Sequence, residues 1–250
     1  MQTQTARVQR FRHARRDPAL VVLEGFHALK HALRFGAEVV EAIAGDVDAL
    51  RVLAGALAPD VLQRMLELTE PVMPEVVTAC APVKPPTGVL AIARRPAFAL
   101  PQRLDDPRPA PIVLLEDPRH LGNLGACVRV AAAADAAGLL TIAGHDPWHP
   151  DAVRGAAGLH FALPVGRVEA ALLDGGDRPL VALDPDGDVL RVADLPARAI
   201  LAFGSERHGL SDALLARADV RVRIPMRDGV SSLNLATSVA AVLFAWRLAV

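Results

Sequence analysis

Hydrophobic and polar positions along the chain form short apolar runs separated by stretches of helical spacing. In the first part, ALVVLEG and AEVVEAIA read as strands. Phe26–Phe35 has helical spacing, with His27, Lys30, His31 and Arg34 among its polar positions. Asp60–Leu68 reads as a second helix with Asp60 near its start, and TGVLAIA as a closing strand. After residue 110 the alternation is more regular. PIVLLED leads into GNLGACVRVAAAADAAG, LLTIAG into HPDAVRGAAG, ALPV into RVEAALLDGG, and AILAFG into LSDALLAR. PLVALD and VRVRIPM add two strands, and a long helix runs from about Ser231 to Leu248. This alternation predicts an α/β fold whose second part is a mostly parallel sheet covered by helices. Ligands of such sheets gather beyond the carboxyl ends of the strands, so the residues that follow each strand are the candidates for chemistry.

The stretch RPAFALPQRLDDPRPAP interrupts the pattern. Its prolines oppose regular helix and its charges favour exposure, so it reads as a linker over 96–110 between a small α/β domain (1–95) and a larger one (111–250). A hydrophobic share of 52% fits a packed protein, and no charge-free apolar run is long enough to span a membrane. Cys80 and Cys127 are too few for a metal site by themselves and read as reduced core residues of a cytoplasmic protein. The net charge of −1 hides an asymmetry, because Arg7, Arg10, Arg12, Arg15 and Arg16 occur in the first sixteen residues with no acid. Such a segment is either a phosphate-contacting arm or a frayed, solvated terminus.

Three segments of the second part are unlike ordinary scaffold. In EDPRHLGNLGACVR, Gly122 and Gly125 permit close backbone approach, Asn123 sits where an N-cap is favoured, and Arg129 falls amid Val and Ala. An arginine in an apolar helical face is costly unless paired or used. In LAFGSERHGL, a buried strand runs into Gly204, Ser205 and Glu206, then Gly209. This spacing is neither a nucleophile elbow nor a phosphate or dinucleotide loop, and its plain reading is an exposed turn with a helix-capping Glu. In IPMRDGVSSLNLATSVAA, Ser231 or Ser232 is placed to cap the last helix, and Asn234 lies in its first turn.

In order and spacing, these segments resemble the three motifs of the SpoU (TrmH) branch of the SPOUT superfamily: an Asn with an Arg six positions on, G-S-E followed by G-L, and I-P-M followed by S-L-N. VRGAAGLHFALPV is similar to the family's stretch between the first and second motifs, and LEGFHALKHAL to the L30e-like RNA-recognition domain that many members carry. The sequence departs from the family pattern at Arg207 and His208, and in the AAAADAAG that continues the first motif's helix.

The resemblance implies a SPOUT α/β fold with a trefoil knot, and an S-adenosylmethionine-dependent enzyme that methylates a ribose 2'-hydroxyl of RNA. Ribosomal RNA ranks ahead of transfer RNA as the target. It also implies a homodimer built on the final helix, with no metal and no membrane. Gly204, Ile224 and Leu233 are implied to line the cofactor site, with glycine admitting the ligand to the backbone. Arg129, Asn123, Glu206, Ser232 and Asn234 are the implied catalytic set. Arg129 as a general base is expensive, since bringing a guanidinium from above about 12 to near 7 costs about 7 kcal/mol. A role in binding the adjacent phosphate and polarising the hydroxyl suits it better. The rival readings are methylation of a base, against which the Asn123–Arg129 pair and the S-L-N of the third motif argue, and a silent RNA-binding protein, against which the intact Arg129, Glu206 and Asn234 argue.

Overall fold

The computed structural model describes residues 2–100, 104–173 and 177–249. Its elements run α1 (Gln2–Ala14), β1 (Leu20–Glu24), α2 (Phe26–Arg34), β2 (Val39–Ala44), α3 (Val47–Leu57), α4 (Leu62–Leu68), β3 (Thr69–Pro71), α5 (Pro74–Cys80) and β4 (Val89–Arg94). There follow β5 (Ile112–Glu116), α6 (Leu121–Ala133), β6 (Gly138–Ile142), α7 (Pro150–Gly155), β7 (Val165–Val168), β8 (Leu180–Val189), β9 (Ile200–Phe203), α8 (Asp212–Arg217), β10 (Val220–Arg223) and α9 (Leu235–Ala249). They form two compact units, residues 1–97 with 148–162 and residues 98–147 with 163–250.

The first unit is built on a four-stranded sheet in the order β1-β4-β2-β3. β4 lies antiparallel to β1 and β2, and β3 is parallel to β2. Val89–Ala93 are all buried, as a central strand covered on both faces requires. The spacing of α2 turns Phe26, Ala28, Leu29, Ala32 and Leu33 inward. Asp46 starts α3 by accepting from the Ala49 amide at 2.8 Å.

The arginine-rich N-terminal segment is not a frayed, solvated end. It is the helix α1, whose Phe11 and Ala14 are buried in the same cluster as Val22, Ile43, Val77 and Cys80. Arg7 reaches Glu41 at 2.7 Å and Glu70 at 2.5 Å, Arg10 reaches Glu41 at 2.9 Å, and Arg15 reaches Glu24 at 2.8 Å. Arg12 and Arg16 are exposed and have no ion pair among the described residues. The partner acids lie 9 to 63 residues away in sequence, so the local run of arginines gave no sign of them.

Glu24 is the most confined of these acids, its side chain only 5% exposed between Arg15 and Arg154, the latter at 2.7 Å. Glu24→Ala is expected to destabilise the protein by about 3 kcal/mol, because the half-buried Arg15 loses its carboxylate. A shift in urea midpoint at unchanged m-value checks this. A loss below about 1 kcal/mol would mean that water serves Arg15 as well as Glu24 does.

Residues 148–162, expected in the second domain, belong to the first unit. Ala152 and Val153 of α7 are buried, and Trp148 meets Phe161 edge-on at 5.3 Å. His31 Nδ1 lies 2.7 Å from the Ala157 carbonyl. The backbone at Gly158 passes so close to Ala28 that a Cβ would sit 2.5 Å from the Ala28 oxygen.

The second unit is a six-stranded sheet in the order β10-β8-β9-β5-β6-β7, with every pairing parallel. Ile112–Leu115 of the central β5 are completely buried, in keeping with their unbroken apolar run. The strand expected at ALPV lies later, at Val165–Val168. The helix expected over RVEAALLDGG is reduced to a short 3-10 turn at Ala170–Leu173, and its end at 174–176 lies outside the described residues.

In the 96–110 stretch, whose residues 101–103 lie outside the described residues, Pro96, Ala97, Asp105, Pro107, Arg108 and Pro109 are exposed as a linker would be, but its larger apolar residues are not. Leu100, Leu104 and Ala110 join the core of the second unit, and the Phe98 ring covers Gly166, where a Cβ would meet it at 2.6 Å. The buried Arg178 donates to the carbonyls of Leu104 (2.9 Å), Asp106 (2.7 Å) and Ala110 (2.9 Å). A proline-rich segment leaves many carbonyls unpaired, and one fork of guanidinium donors collects three of them. No helix of the described residues is long and apolar enough to cross a membrane.

Candidate active site

At the carboxyl edge of the parallel sheet, Leu115, Phe203 and Leu183 lie side by side as the last paired residues of β5, β9 and β8 in that register. The chain beyond them opens a cavity of about 320 Å³ in the second unit. Gly204, Ile224 and Leu233, the three positions expected at a cofactor site, all line it, as do Glu206 and Ser232. Leu183, Phe203, Ile224 and Leu233 supply apolar wall, while Asp184, Glu206, Arg207 and Arg223 supply charge.

Gly204 is also required by the packing of the chain itself. A Cβ there would lie 1.9 Å from the Gly209 carbonyl carbon and 2.2 Å from the Leu210 nitrogen, so the close approach is by the chain itself. The loop between them closes through Ser205 N to Gly209 O (3.0 Å) and Gly209 N to Ser205 O (3.1 Å), with the His208 amide donating to Ser205 Oγ at 3.3 Å. Gly209 turns the chain at φ +66°, with open space around it.

Asn123, Glu206 and Asn234, one from each sequence motif, form a connected chain of hydrogen bonds. Asn123 Nδ2 donates to Glu206 Oε1 at 2.7 Å, and Asn234 Nδ2 donates to Asn123 Oδ1 at 3.2 Å. Asn234 Oδ1 accepts from the amides of Ala236 (2.9 Å) and Thr237 (3.3 Å), so Asn234 is the cap of α9. Three local expectations are thereby corrected. Asn123 is not the cap of α6, which starts at Leu121 after His120; Glu206 caps no helix; and Ser231 and Ser232 lie ahead of the true cap on the cavity wall.

Sequence reasoning missed Glu116 and Ser211. Glu116 accepts from the Ser211 amide and from Ser211 Oγ, both at 2.7 Å, while Ser211 Oγ accepts from the Leu214 amide at 3.2 Å to cap α8. The signal was present: an acid ending the buried IVLLE run and a Ser-Asp helix start after Leu210.

Arg129 stands apart from this network. The buried side of α6 carries Leu124, Cys127, Val128 and Ala131, and Arg129 is exposed, contrary to its expected place in an apolar face. It does not line the cavity and makes no hydrogen bond or ion pair among the described residues. Cys127 is fully buried, and burial, reinforced by the negative charge of Glu206, pushes its thiol up to about 12. Cys127 is therefore expected to resist iodoacetamide at pH 8 in the folded protein and to react after unfolding in urea. Mass spectrometry finding rapid native labelling of Cys127 would show that the helix opens readily.

The model of the SpoU rRNA methylase family matches residues 110–244, a stretch that contains all eight of these expected site residues. The chain belongs to that family. Among curated SpoU-related proteins, it is 33% identical over 208 residues to a 23S rRNA (uridine(2479)-2'-O)-methyltransferase of Streptomyces viridochromogenes, covering 76% of this chain and 65% of the relative. It is 35% identical over 162 residues to a 23S rRNA (adenosine(1067)-2'-O)-methyltransferase of Streptomyces azureus, covering 61% of this chain and 59% of that one. The matches thus span less than two thirds of either relative's own length. The crystal structure of the SpoU methyltransferase AviRb from Streptomyces viridochromogenes in complex with the cofactor AdoMet superposes with a TM-score of 0.77 at 25% identity, covering 98% of this chain and 97% of that one.

Proposed function

We propose that this SpoU family member transfers a methyl group from S-adenosylmethionine to a ribose 2'-hydroxyl of RNA. The reading rests above all on one observation: residues of all three motifs meet beside a cavity at the carboxyl edge of the parallel sheet. The cavity suits the cofactor. Its volume is in the range of small-ligand sites, and it joins apolar wall at Ile224 and Leu233 to carboxylates at Asp184 and Glu206. A ligand with an adenine ring at one end and two cationic centres at the other needs both kinds of surface.

When bound, S-adenosylmethionine supplies a methyl group already activated as a sulfonium. The chain's own residues hold the ribose in line, exclude water and manage the hydroxyl proton. Ile224 and Leu233 are placed to flank the adenine, and Gly204 keeps the loop above it closed. Ser232 stands on the wall as a hydroxyl contact, while Asn123 and Asn234 hold Glu206. Arg129, exposed and without an ion pair among the described residues, is suited to grip the phosphate next to the target ribose.

Ribosomal RNA is the proposed target ahead of transfer RNA, in line with the names of the two Streptomyces relatives. The exposed Arg12 and Arg16 of the first unit, which we take as an L30e-like RNA-recognition module, and Arg207 and His208 of the second are available to phosphates. A homodimer through α9 fits its exposed stripe of Thr237, Ala241, Phe244 and Leu248, which the buried face of the helix leaves uncovered. The cytoplasm is the proposed setting, and the SPOUT knot the proposed path of the chain.

The test is incubation of the full chain with methyl-labelled S-adenosylmethionine and unmodified ribosomal or transfer RNA, followed by mapping of 2'-O-methyl positions. Label at one ribose of ribosomal RNA is expected. Label on a base, or cofactor binding without transfer to any RNA, would overturn the reading.

A further inference from the structure

The hydrogen bonds among Asn234, Asn123 and Glu206 have a direction that does not depend on how the amide atoms are assigned. The backbone amides of Ala236 and Thr237 can only donate, so the atom of Asn234 that faces them must be its oxygen. Its NH2 group is thereby turned to Asn123, which must present oxygen in return. Asn123 then has only its NH2 group left for Glu206, which must accept. The cap of α9 therefore sets the polarity of the whole relay, and the relay ends on a carboxylate oxygen.

The other oxygen of Glu206 is free of hydrogen bonds among the described residues, and Glu206 lines the cavity. The second carboxylate on that wall, Asp184, is tied to Arg221. Arg223 donates to the Gly187 carbonyl at 2.6 Å and, like Arg207 and Arg129, has no lone pair to offer at neutral pH. Glu206 is thus the one cavity carboxylate without an ion pair among the described residues.

We propose that Glu206 takes the proton of the ribose 2'-hydroxyl, and that Asn234 and Asn123 are positioning residues that hold it as an acceptor. This rests on the methyltransferase reading above. As the ribose oxygen bonds to the methyl carbon, the C–S bond breaks and its electron pair stays on sulfur, leaving a neutral thioether. The O–H electron pair stays on the ribose oxygen, and the proton passes to the free oxygen of Glu206. A carboxylate oxygen offers lone pairs for the proton, which a guanidinium does not.

Two variants test the proposal in the full chain. Glu206→Gln keeps shape and can still accept from Asn123, but its remaining atom is a donor. Turnover is expected to fall at least about 100-fold, the usual share of a general base, with cofactor affinity by calorimetry within about threefold of wild type. Asn234→Asp still caps α9 but cannot donate to Asn123. Its melting temperature should hold, while the side-chain amide signals of Asn123 shift in the nuclear magnetic resonance spectrum and turnover drops about tenfold or more. Near-wild-type turnover of Glu206→Gln would overturn the proton-acceptor role. Unmoved Asn123 signals in Asn234→Asp would overturn the relay. A wild-type chain that methylates no RNA would count against the activity itself, and the Asn123 signals would still judge the relay.

Discussion

Arg129→Ala is expected to lower methyl transfer by roughly a thousandfold while leaving cofactor affinity within about twofold of wild type. The separation follows from where the side chain is. Arg129 does not line the cavity and has no hydrogen bond to Asn123, Glu206 or Asn234, so its removal leaves the cavity wall in place. It is exposed on α6, and no described partner competes for its charge. An arginine left free in this way can close on a phosphate when RNA arrives, and the loss should then appear in turnover with RNA and not in calorimetry with cofactor alone. Arg129→Lys should recover little, because an ammonium cannot hold a phosphate and a hydroxyl through one planar fork. Wild-type turnover by Arg129→Ala would remove it from the mechanism.

Gly204→Ala is expected to cost about 3 kcal/mol or more and to abolish measurable cofactor binding. The cause is contact within the chain. A Cβ 1.9 Å from the Gly209 carbonyl carbon cannot be relieved by rotating a side chain, because both partners are backbone. The 205–209 loop must open, and with it the wall that carries Glu206 and Arg207. Gly209→Ala provides the contrast. Its surroundings are open, so only the strain of φ +66° remains, worth about 1–2 kcal/mol. Thermal melts should therefore rank wild type, then Gly209→Ala, then Gly204→Ala, the last lower than wild type by about 6–12 °C. Equal melting points for the two variants would mean that the loop is free to move off Gly204.

How much of this was legible in the chain depended on range. The strands β1, β2, β4, β5, β6, β8, β9 and β10 follow from apolar runs whose neighbours in sequence are enough to mark them, and so do α2, α4, α6, α8 and α9. The three motifs were legible as ordered strings, and Gly204, Glu206, Ile224, Ser232 and Leu233 do share one cavity wall. The helices α1, α3 and α5 and the short β3 were missed. Arg-rich α1 has a weak apolar face, and α5 and β3 are too short for any periodicity to assert itself.

By itself, then, the sequence determined the α/β class, the mostly parallel character of the second sheet and the residues worth watching, because each is carried by patterns local in the chain. Only the tertiary structure decided which partners those residues meet. It made α1 a docked helix, because acids such as Glu41 and Glu70 arrive from distant strands to meet its arginines. It put Leu100, Leu104 and Ala110 into the core, where Arg178 brings donors to the carbonyls of Leu104, Asp106 and Ala110. It joined Asn234 to Asn123 and Asn123 to Glu206, contacts across 111 and 83 residues of chain. Hydrogen bonds are directional and short, so which partner an amide or carboxylate finds is settled by packed geometry, and sequence spacing carries no record of it.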